Sequence, residues 1–324
     1  MKRRPPSSRN TMYGLLVFVL LLPLVAEAGH QRPRRQATNT PLPRTKPTGS
    51  LKVITGHQGS VVFINNVRHG VTNEKGELDL PRVIAGSYPV RVRTVGYADS
   101  NAPAVIAPNS GRTLKVTPQP TSDEPTLHYQ KGEELRDKGK NRDAVEEYKQ
   151  ALAPRPNFPE ARIAMARSLN TLQDFLEAEK QILAAIKLGG RTLVEAQTVL
   201  ANLRRNQGLV DESIAEYRKA LRLARGNSFE AHIGLAIALN ETVESRADPR
   251  LIDEITREYR VGIAQDMETE PILYYQLGEI LEKAGRNKEA IEAYRNYLRL
   301  DPEGEFASAA ESIIEQLKQG PDRR

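Results

Sequence analysis

The stretch YYQLGEILEKAGRNKEAIEAYRNYLRLDP, residues 274–302, decides the fold of most of this 324-residue chain. Its first half, through Leu281, carries apolar residues at helical spacing, and Gly285 follows where a helix would end. Its second half has helical periodicity again and stops at Pro302. Because Gly favours helix ends and Pro cannot continue a helix, the stretch predicts two antiparallel helices joined by a tight turn.

The second half of this stretch contains a small residue followed four positions later by a bulky one, and this signature recurs along the chain. The five occurrences are Ala144…Tyr148, Ala178…Ile182, Ser213…Tyr217, Ile255…Tyr259 and Ala290…Tyr294. They are separated by 34, 35, 42 and 35 residues. The long interval contains an insertion at 241–249, and its unit has Ile255 in the small position and Gly262 where others have Ala. Such a period is typical of a helical solenoid.

The last unit resembles the tetratricopeptide repeat in Tyr274-x-x-Leu277-Gly278-x-x-Leu281, then Ala290-x-x-x-Tyr294 and Pro302. The resemblance implies a mainly α fold class. It predicts an α-α superhelical tetratricopeptide-repeat solenoid of about five helix pairs plus a capping helix, over residues 125–318. The capping helix is expected at Phe306–Leu317, and residues 319–324 form a tail.

Residues 51–118 have a different pattern, with short alternating runs separated by Gly, Asn and Pro. In the run YPVRVRT, residues 88–94, valines alternate with arginines, which predicts a strand with one apolar and one basic face. Pro89 lacks an amide hydrogen, so the strand is expected to begin there or to lie at a sheet edge. About seven such runs predict a small, all-β, antiparallel sandwich, followed by a linker at 119–124.

Several segments of this domain resemble PEGA and carboxypeptidase regulatory-like domains. They are VVFINN (61–66), TNEKGELDL (72–80), AGSYPVRV (85–92) and Gly96-Tyr97. Both families are small β-sandwiches of exported proteins, and the segments do not choose between them. The resemblance implies a structural or adhesive accessory module without catalysis.

Residues 1–28 have the three parts of a secretory signal. A basic leader precedes the apolar run GLLVFVLLLPLV, residues 14–25, and Ala26-Glu27-Ala28 follows. We expect cleavage after Ala28 and a secreted or periplasmic protein. The apolar run is shorter than the roughly 20 residues of a spanning helix. A permanent anchor from an uncleaved signal is the alternative.

Residues 29–50 contain four Pro, five basic residues and no acid. Such a composition cannot bury enough apolar surface to order itself, which predicts a disordered Pro/Arg-rich linker. Its cluster Arg32-Pro33-Arg34-Arg35 offers a contact for an anionic surface, with a solvated tether as the alternative.

The chain lacks the groups that catalysis or metal binding would need. It has no Cys, and its five His residues have no metal-ligand spacing. No phosphate-binding loop, nucleophile elbow or metalloprotease motif occurs. Residues 1–50 carry a charge of +8, which leaves −2 for the rest of the +6 chain. We therefore expect no enzyme, no cofactor, no metal and no nucleic-acid partner.

By the tetratricopeptide resemblance, the first helix of each unit lines a concave groove that binds another protein or peptide. The predicted groove residues are Tyr129, Glu133, Arg136, Arg167, Asn170, Asn202, Arg205, His232, Asn240, Tyr275 and Glu279. Asn amides both donate and accept, as a peptide main chain requires. Arg167 and Arg205 are expected to hold a carboxylate. The family's clamp for C-terminal carboxylates needs a Lys where this chain has Tyr129.

Three functions fit these features. The leading prediction is an exported, non-enzymatic scaffold for a protein or peptide partner. A structural cell-envelope or surface component is the first alternative, with the β domain or basic linker attached to an envelope polymer. An auxiliary subunit of an enzyme complex is the second.

Overall fold

The computed structural model describes residues 47–243, 249–266 and 270–319. The predicted signal segment, residues 29–46 of the predicted linker and residues 320–324 of the predicted tail lie outside these ranges. The first strand begins at Thr48 and pairs with Ile84. The last residues of the segment predicted as linker therefore belong to a sheet, because their backbone groups find partners there.

The strands of the described residues form two sheets. They are β1 (Thr48–Ile54), β2 (Val61–Ile64), β3 (Val67–Val71), β4 (Glu77–Ile84), β5 (Gly86–Arg93), β6 (Ser100–Ile106) and β7 (Gly111–Lys115). One sheet has the order β4-β1-β7 and the other β3-β2-β5-β6. β1 and β7 pair in parallel, so the prediction of an antiparallel sandwich is wrong at this pair. The chain passes through the other sheet before β7, which provides the crossover that parallel pairing requires.

The sandwich core follows from strand alternation, because successive side chains point to opposite faces of a sheet. The inward residues of β2 and β5 are at most 1% exposed, and they are Val62, Ile64, Val90 and Val92. Arg91 and Arg93 lie on the opposite face of β5. The predicted apolar and basic faces of this strand are confirmed.

Pro89 is the fourth residue of β5. Since β5 lies between β2 and β6 in the sheet, the prediction that this strand begins at Pro89 or lies at a sheet edge is wrong. The β2–β5 ladder ends at the pair Ile64 and Val90. Pro89 therefore stands one residue beyond the ladder, where its carbonyl accepts from the Asn65 amide at 3.1 Å. No residue of β2 loses a hydrogen bond to the missing amide hydrogen.

The helices of the described residues form five pairs and a final single helix. They are α1 (Glu124–Asp137), α2 (Asn141–Leu152), α3 (Pro159–Thr171), α4 (Phe175–Leu188), α5 (Leu193–Asn206), α6 (Val210–Leu223), α7 (Phe229–Asn240), α8 (Pro249–Asp266), α9 (Ile272–Lys283), α10 (Asn287–Leu300) and α11 (Ala307–Gln319). Each odd helix packs on the even helix that follows, and α11 packs on α10. The predicted solenoid with a capping helix is confirmed.

A tyrosine of the second helix fills the space within or between pairs. Tyr148, Tyr217 and Tyr294 are fully buried. A Cβ atom at Gly132 would lie 2.5 Å from Cε1 of Tyr148, and one at Gly278 would lie 2.7 Å from Cε1 of Tyr294. Gly therefore stands at these helix positions because the ring needs the space that a methyl group would take.

The fourth pair shows why its sequence departs from the others. Ile255 is fully buried in the position that is small elsewhere. A Cβ atom at Gly262 would lie 2.4 Å from Cδ1 of Ile233. Gly262 thus stands where the other units have Ala, because the Ile233 side chain of α7 occupies the space that an Ala methyl group would need.

We predict that Gly132→Ala lowers the free energy of unfolding by about 1–3 kcal/mol through overpacking, although Ala favours helices over Gly by about 1 kcal/mol. The check is urea denaturation of Gly132→Ala in the native background and in the Tyr148→Leu background. The cost of Gly132→Ala should largely vanish in the Tyr148→Leu background, since the ring is gone. An equal cost in both backgrounds contradicts the steric explanation.

Candidate functional site

The first helices of the pairs form the concave wall of the solenoid. α3 contacts α1 and α5, and α5 also contacts α7. The second helices lie behind them, since each contacts its own first helix and the next one. The row of first helices is therefore the inner face, as the tetratricopeptide resemblance implies.

The β domain docks on this inner face through Arg93 of β5. The guanidinium donates to Oε2 of Glu133 at 2.6 Å and to the hydroxyl of Tyr129 at 2.8 Å. It also lies 4.8 Å from the centre of the Tyr129 ring. The Arg93 side chain is only 9% exposed. Two predicted groove residues, Tyr129 and Glu133, are thus occupied by a side chain of the same protein.

A second set of contacts fixes the same junction through neutral groups. The Gln130 amide donates to the Tyr97 carbonyl at 2.7 Å and accepts from the Gly96 amide at 3.0 Å. The segment predicted as a linker also pairs with this loop, because the Ala98 amide donates to the Gln119 carbonyl at 2.8 Å. The connection between the β domain and α1 is consequently part of the folded structure.

Glu133 is the centre of the charge arrangement at this junction. Burial by itself would raise the pKa of its carboxyl, but Arg136 and Arg93 bring that pKa below its ordinary value. The Tyr148 hydroxyl adds a hydrogen bond of 2.8 Å to the same carboxylate. The pKa of Tyr129 is raised, chiefly by burial and by the Glu133 charge. Glu133 is therefore ionised and Tyr129 neutral near neutral pH.

A cleft of about 1560 Å³ lies between the outer face of the β3-β2-β5-β6 sheet and the concave helices. The sheet contributes Val61, Phe63, Val71, Arg91 and Asn101 among others. The helical wall contributes residues from the first four pairs, including Ala164, Val194 and Phe229. The two domains together form this site, which neither would form alone.

Arg167 of α3 ties the helical wall together. Its Nη2 lies 3.2 Å from Oε1 of Glu195 on α5 and 3.1 Å from Oε2 of Glu230 on α7. The pKa of Glu195 is raised, mainly by burial and also by the Glu230 charge, although Arg167 opposes the shift. Arg167 thus holds carboxylates of its own chain, as Arg205 does with Glu241 at 3.3 Å.

The remaining predicted groove residues are not in the cleft lining. Asn202 accepts from the Tyr217 hydroxyl, and Asn170 accepts from the Asn206 amide at 3.2 Å. Tyr275 is buried against the rings of Tyr294, Tyr297 and Phe306. Asn240 is partly exposed and Glu279 is exposed at the far end of the wall.

The prediction that His232 lines the groove is wrong, because this residue of α7 is buried against α8. Its Nδ1 lies 2.6 Å from Oε2 of Glu258 on α8, and its Nε2 lies 2.9 Å from the Gly226 carbonyl. Both ring nitrogens have partners within the chain. His232 therefore connects two helices and does not present a polar group to the groove.

Sequence reasoning did not find the contribution of the sheet to the site. Phe63 lies with its ring 4.0 Å from the Arg91 guanidinium carbon, and Val71 and Val95 are exposed. The alternation in YPVRVRT correctly predicted that Arg91 and Arg93 lie on the face of β5 opposite the sandwich core. Nothing local in the sequence indicates that this face turns toward the helices.

Within the described ranges, no group of three His, Cys, Asp or Glu residues is arranged to hold a metal ion. Every helix in those ranges is too short or too polar to span a lipid bilayer. The apolar run at 14–25 lies outside them.

Family profiles of the tetratricopeptide repeat match residues 129–192, 163–228 and 271–303. These matches cover nearly all of the first three helix pairs and the fifth. Residues 229–270, which contain the pair with the insertion, lie between them. The helical part of the chain is a tetratricopeptide-repeat solenoid, and such repeats mediate protein interactions.

Several solved structures resemble the helical part. YrrB, described as a tetratricopeptide-repeat protein with an unusual peptide-binding site, is 15% identical over 59% of this chain and 94% of its own, with a TM-score of 0.41. TTC0263, a protein of Thermus thermophilus, is 18% identical over 60% and 99%, with a TM-score of 0.44. PilW, a type IV pilus biogenesis factor, is 14% identical over 61% and 92%, with a TM-score of 0.48. No curated protein matches the chain significantly.

We predict that Arg93→Ala destabilises the protein by about 1–3 kcal/mol, because the Glu133 carboxylate loses one of its two cations and the Tyr129 hydroxyl loses a hydrogen bond. Urea denaturation of residues 47–324 measures this change, and limited proteolysis at 119–124 reports separation of the domains. Arg112→Ala, at an exposed position of β7, is the matched control and should have little effect. Equal stability of the two variants would rule out the structural role of Arg93.

The depressed pKa of Glu133 also predicts a pH dependence. Its carboxylate stabilises the folded state above the ordinary pKa of 4.5, and this contribution disappears as the pH falls through the lower folded-state value. Native protein should therefore exceed Glu133→Gln in free energy of unfolding at pH 7, with a difference that shrinks below about pH 4.5. Denaturation of both proteins between pH 7 and pH 3 is the measurement. A difference independent of pH is the contrary result.

Proposed function

We propose that this chain is an exported, non-enzymatic scaffold that binds a segment of another polypeptide between its β domain and its concave helices. The observation that carries the proposal is the cleft of about 1560 Å³ to which both domains contribute. Pockets for small molecules have about 300–1,000 Å³. The larger space is suited to a segment of polypeptide. Because the sheet and the helices form two open walls, that segment is expected to be extended.

The proposed contact surface differs from the groove that the sequence predicts. Tyr129, Glu133 and Arg167 serve as supports of the walls, because each already forms a hydrogen bond or an ion pair within the chain. The partner would instead contact Phe63 and Val71 of the sheet, with helix residues such as Phe229 opposite. Asn240 and Glu279 remain candidates where a longer partner continues along the wall.

The export part of this proposal rests on residues 1–28 alone, with cleavage after Ala28. We also propose that the β domain, residues 51–118, is a PEGA or carboxypeptidase regulatory-like module, on the segments quoted above. Its role would then be structural, since it forms one wall of the site. Attachment to an envelope polymer is not favoured by any contact of the described residues.

Site-specific photo-crosslinking tests the proposed site. A benzophenone amino acid at Val71 should crosslink a polypeptide from the native extracellular or envelope fraction, whereas one at Leu176 should not. Leu176 is the matched position, because it is an exposed apolar residue on α4 outside the cleft. Crosslinks from both positions, or from neither, would speak against a binding site in the cleft.

A further inference from the structure

Charged groups line the cleft in equal numbers of each sign. The cations are Arg68, Arg91, Arg93, Arg136, Lys138, Arg155, Arg167 and Arg191. The carboxylates are those of Asp99, Asp123, Glu133, Glu134, Asp137, Glu160, Glu195 and Glu230. Formal charges on the described lining therefore sum to zero.

Every one of these sixteen groups lies within 3.2 Å of an opposite charge of the same chain. Some pairs join the domains, such as Arg68 with Asp137 at 2.9 Å. Others close a pair within one wall, such as Arg191 with Glu160 at 2.8 Å. A charged group of a ligand would therefore gain less here than beside an unpaired charge, because each described lining charge already has an opposite charge next to it.

Placing a ligand charge in the cleft is unfavourable for two reasons. The ligand charge loses its hydration on entering the cleft, and it must either share a side chain that is already paired or displace that side chain's partner. A ligand without charge avoids both costs. The paired charges of the lining thus make binding of a charged segment less favourable than binding of an uncharged one. Such unfavourable interactions with the wrong ligand are a common source of binding specificity.

Between the ion pairs the lining offers apolar and uncharged polar groups. Val71 and Val95 are 43% and 55% exposed, and Phe229 and Val194 lie on the helical wall. Removing such apolar surface from water is the main source of affinity in most association. Asn101 and Asn227 also line the cleft, and their amides both donate and accept hydrogen bonds. The apolar groups could contact apolar side chains of an extended peptide, and the Asn amides could form hydrogen bonds with its main chain.

We propose that the cleft binds an uncharged, apolar stretch of polypeptide and discriminates against stretches that carry Lys, Arg, Asp or Glu. The inference rests on the proposed function, since it names the chemistry of the partner at the same site. It also implies binding that depends little on ionic strength, because no new ion pair forms.

The test uses residues 47–324 and a library of immobilised 12-residue peptides built from Val, Leu, Phe, Ser and Gly. The best binder is resynthesised with two central residues replaced by Lys or by Glu, and affinities are measured by fluorescence anisotropy. We expect each charged version to bind at least about tenfold more weakly, since about 1.4 kcal/mol is tenfold in affinity. The uncharged peptide should change less than about twofold between 50 and 500 mM NaCl.

Two variants locate the binding. Val71→Ser should weaken the uncharged peptide about fivefold through lost apolar burial, and Leu176→Ser is the control outside the cleft. Asp99→Asn removes the partner 3.1 Å from Arg91 and should strengthen the Glu peptide about fivefold, as expected for a new exposed ion pair. Asp79→Asn, an exposed carboxylate of β4, is its control.

The outcomes separate this inference from the proposed function. If charged peptides bind best and Val71→Ser weakens them, the cleft binds polypeptide but the inferred chemistry is wrong. If uncharged binding is insensitive to Val71→Ser, the inferred site is wrong. If no peptide of any composition binds, both the inference and the proposed function fail.

Discussion

Arg93 reaches from a central β strand into the first helix pair, where Glu133 and Tyr129 receive its guanidinium. A buried charge is costly unless it is paired and hydrogen-bonded. These contacts, together with those of Gln130, hold the β domain on the solenoid and thereby define the distance between the sheet and the helical wall. The cleft, its lining and its proposed selectivity all depend on this distance.

The solenoid supports the junction through a feature that recurs in its units. Tyrosines of the second helices are buried, and their hydroxyls reach polar residues on the inner wall. Tyr148 donates to Glu133 at 2.8 Å, and Tyr294 donates to Glu282 at 2.9 Å. The same rings that fill the core thereby orient the polar side chains of the concave face. Packing and surface chemistry are coupled in each of these units.

The elements of this fold were predictable because their signals are local. Helical periodicity located the pairs, and alternation in YPVRVRT gave the two faces of β5. The parallel β1–β7 pair and the position of Pro89 depend on how the chain passes between the two sheets. A short segment of sequence does not determine that path. The contacts of the candidate site were less predictable, because they join residues that are far apart in the sequence. Arg93 and Glu133 are 40 residues apart, and Arg167 and Glu230 are 63 apart. Composition indicates that charges will pair, but not which ones.

His232 illustrates the same limit within a single helix. Its place on α7 suggested the inner face, yet α7 is apolar on nearly all sides and eight of its twelve residues are buried. A helix of this kind gives no periodic signal for which side meets the groove. The partner that decides the orientation, Glu258, lies on the following helix.

The three-way contact of Arg167 has a geometric consequence for the whole repeat array. One guanidinium bridges α3, α5 and α7, and so adds an ionic contact across the second, third and fourth units to the packing of their helices. The pitch of such an array results from the shapes of many packed surfaces, and the partly exposed pairs of Arg167 with Glu195 and Glu230 are a modest addition to them. A change of curvature here would separate the guanidinium from one of its carboxylates, so the bridge resists bending of this section by the small amount that an exposed ion pair contributes.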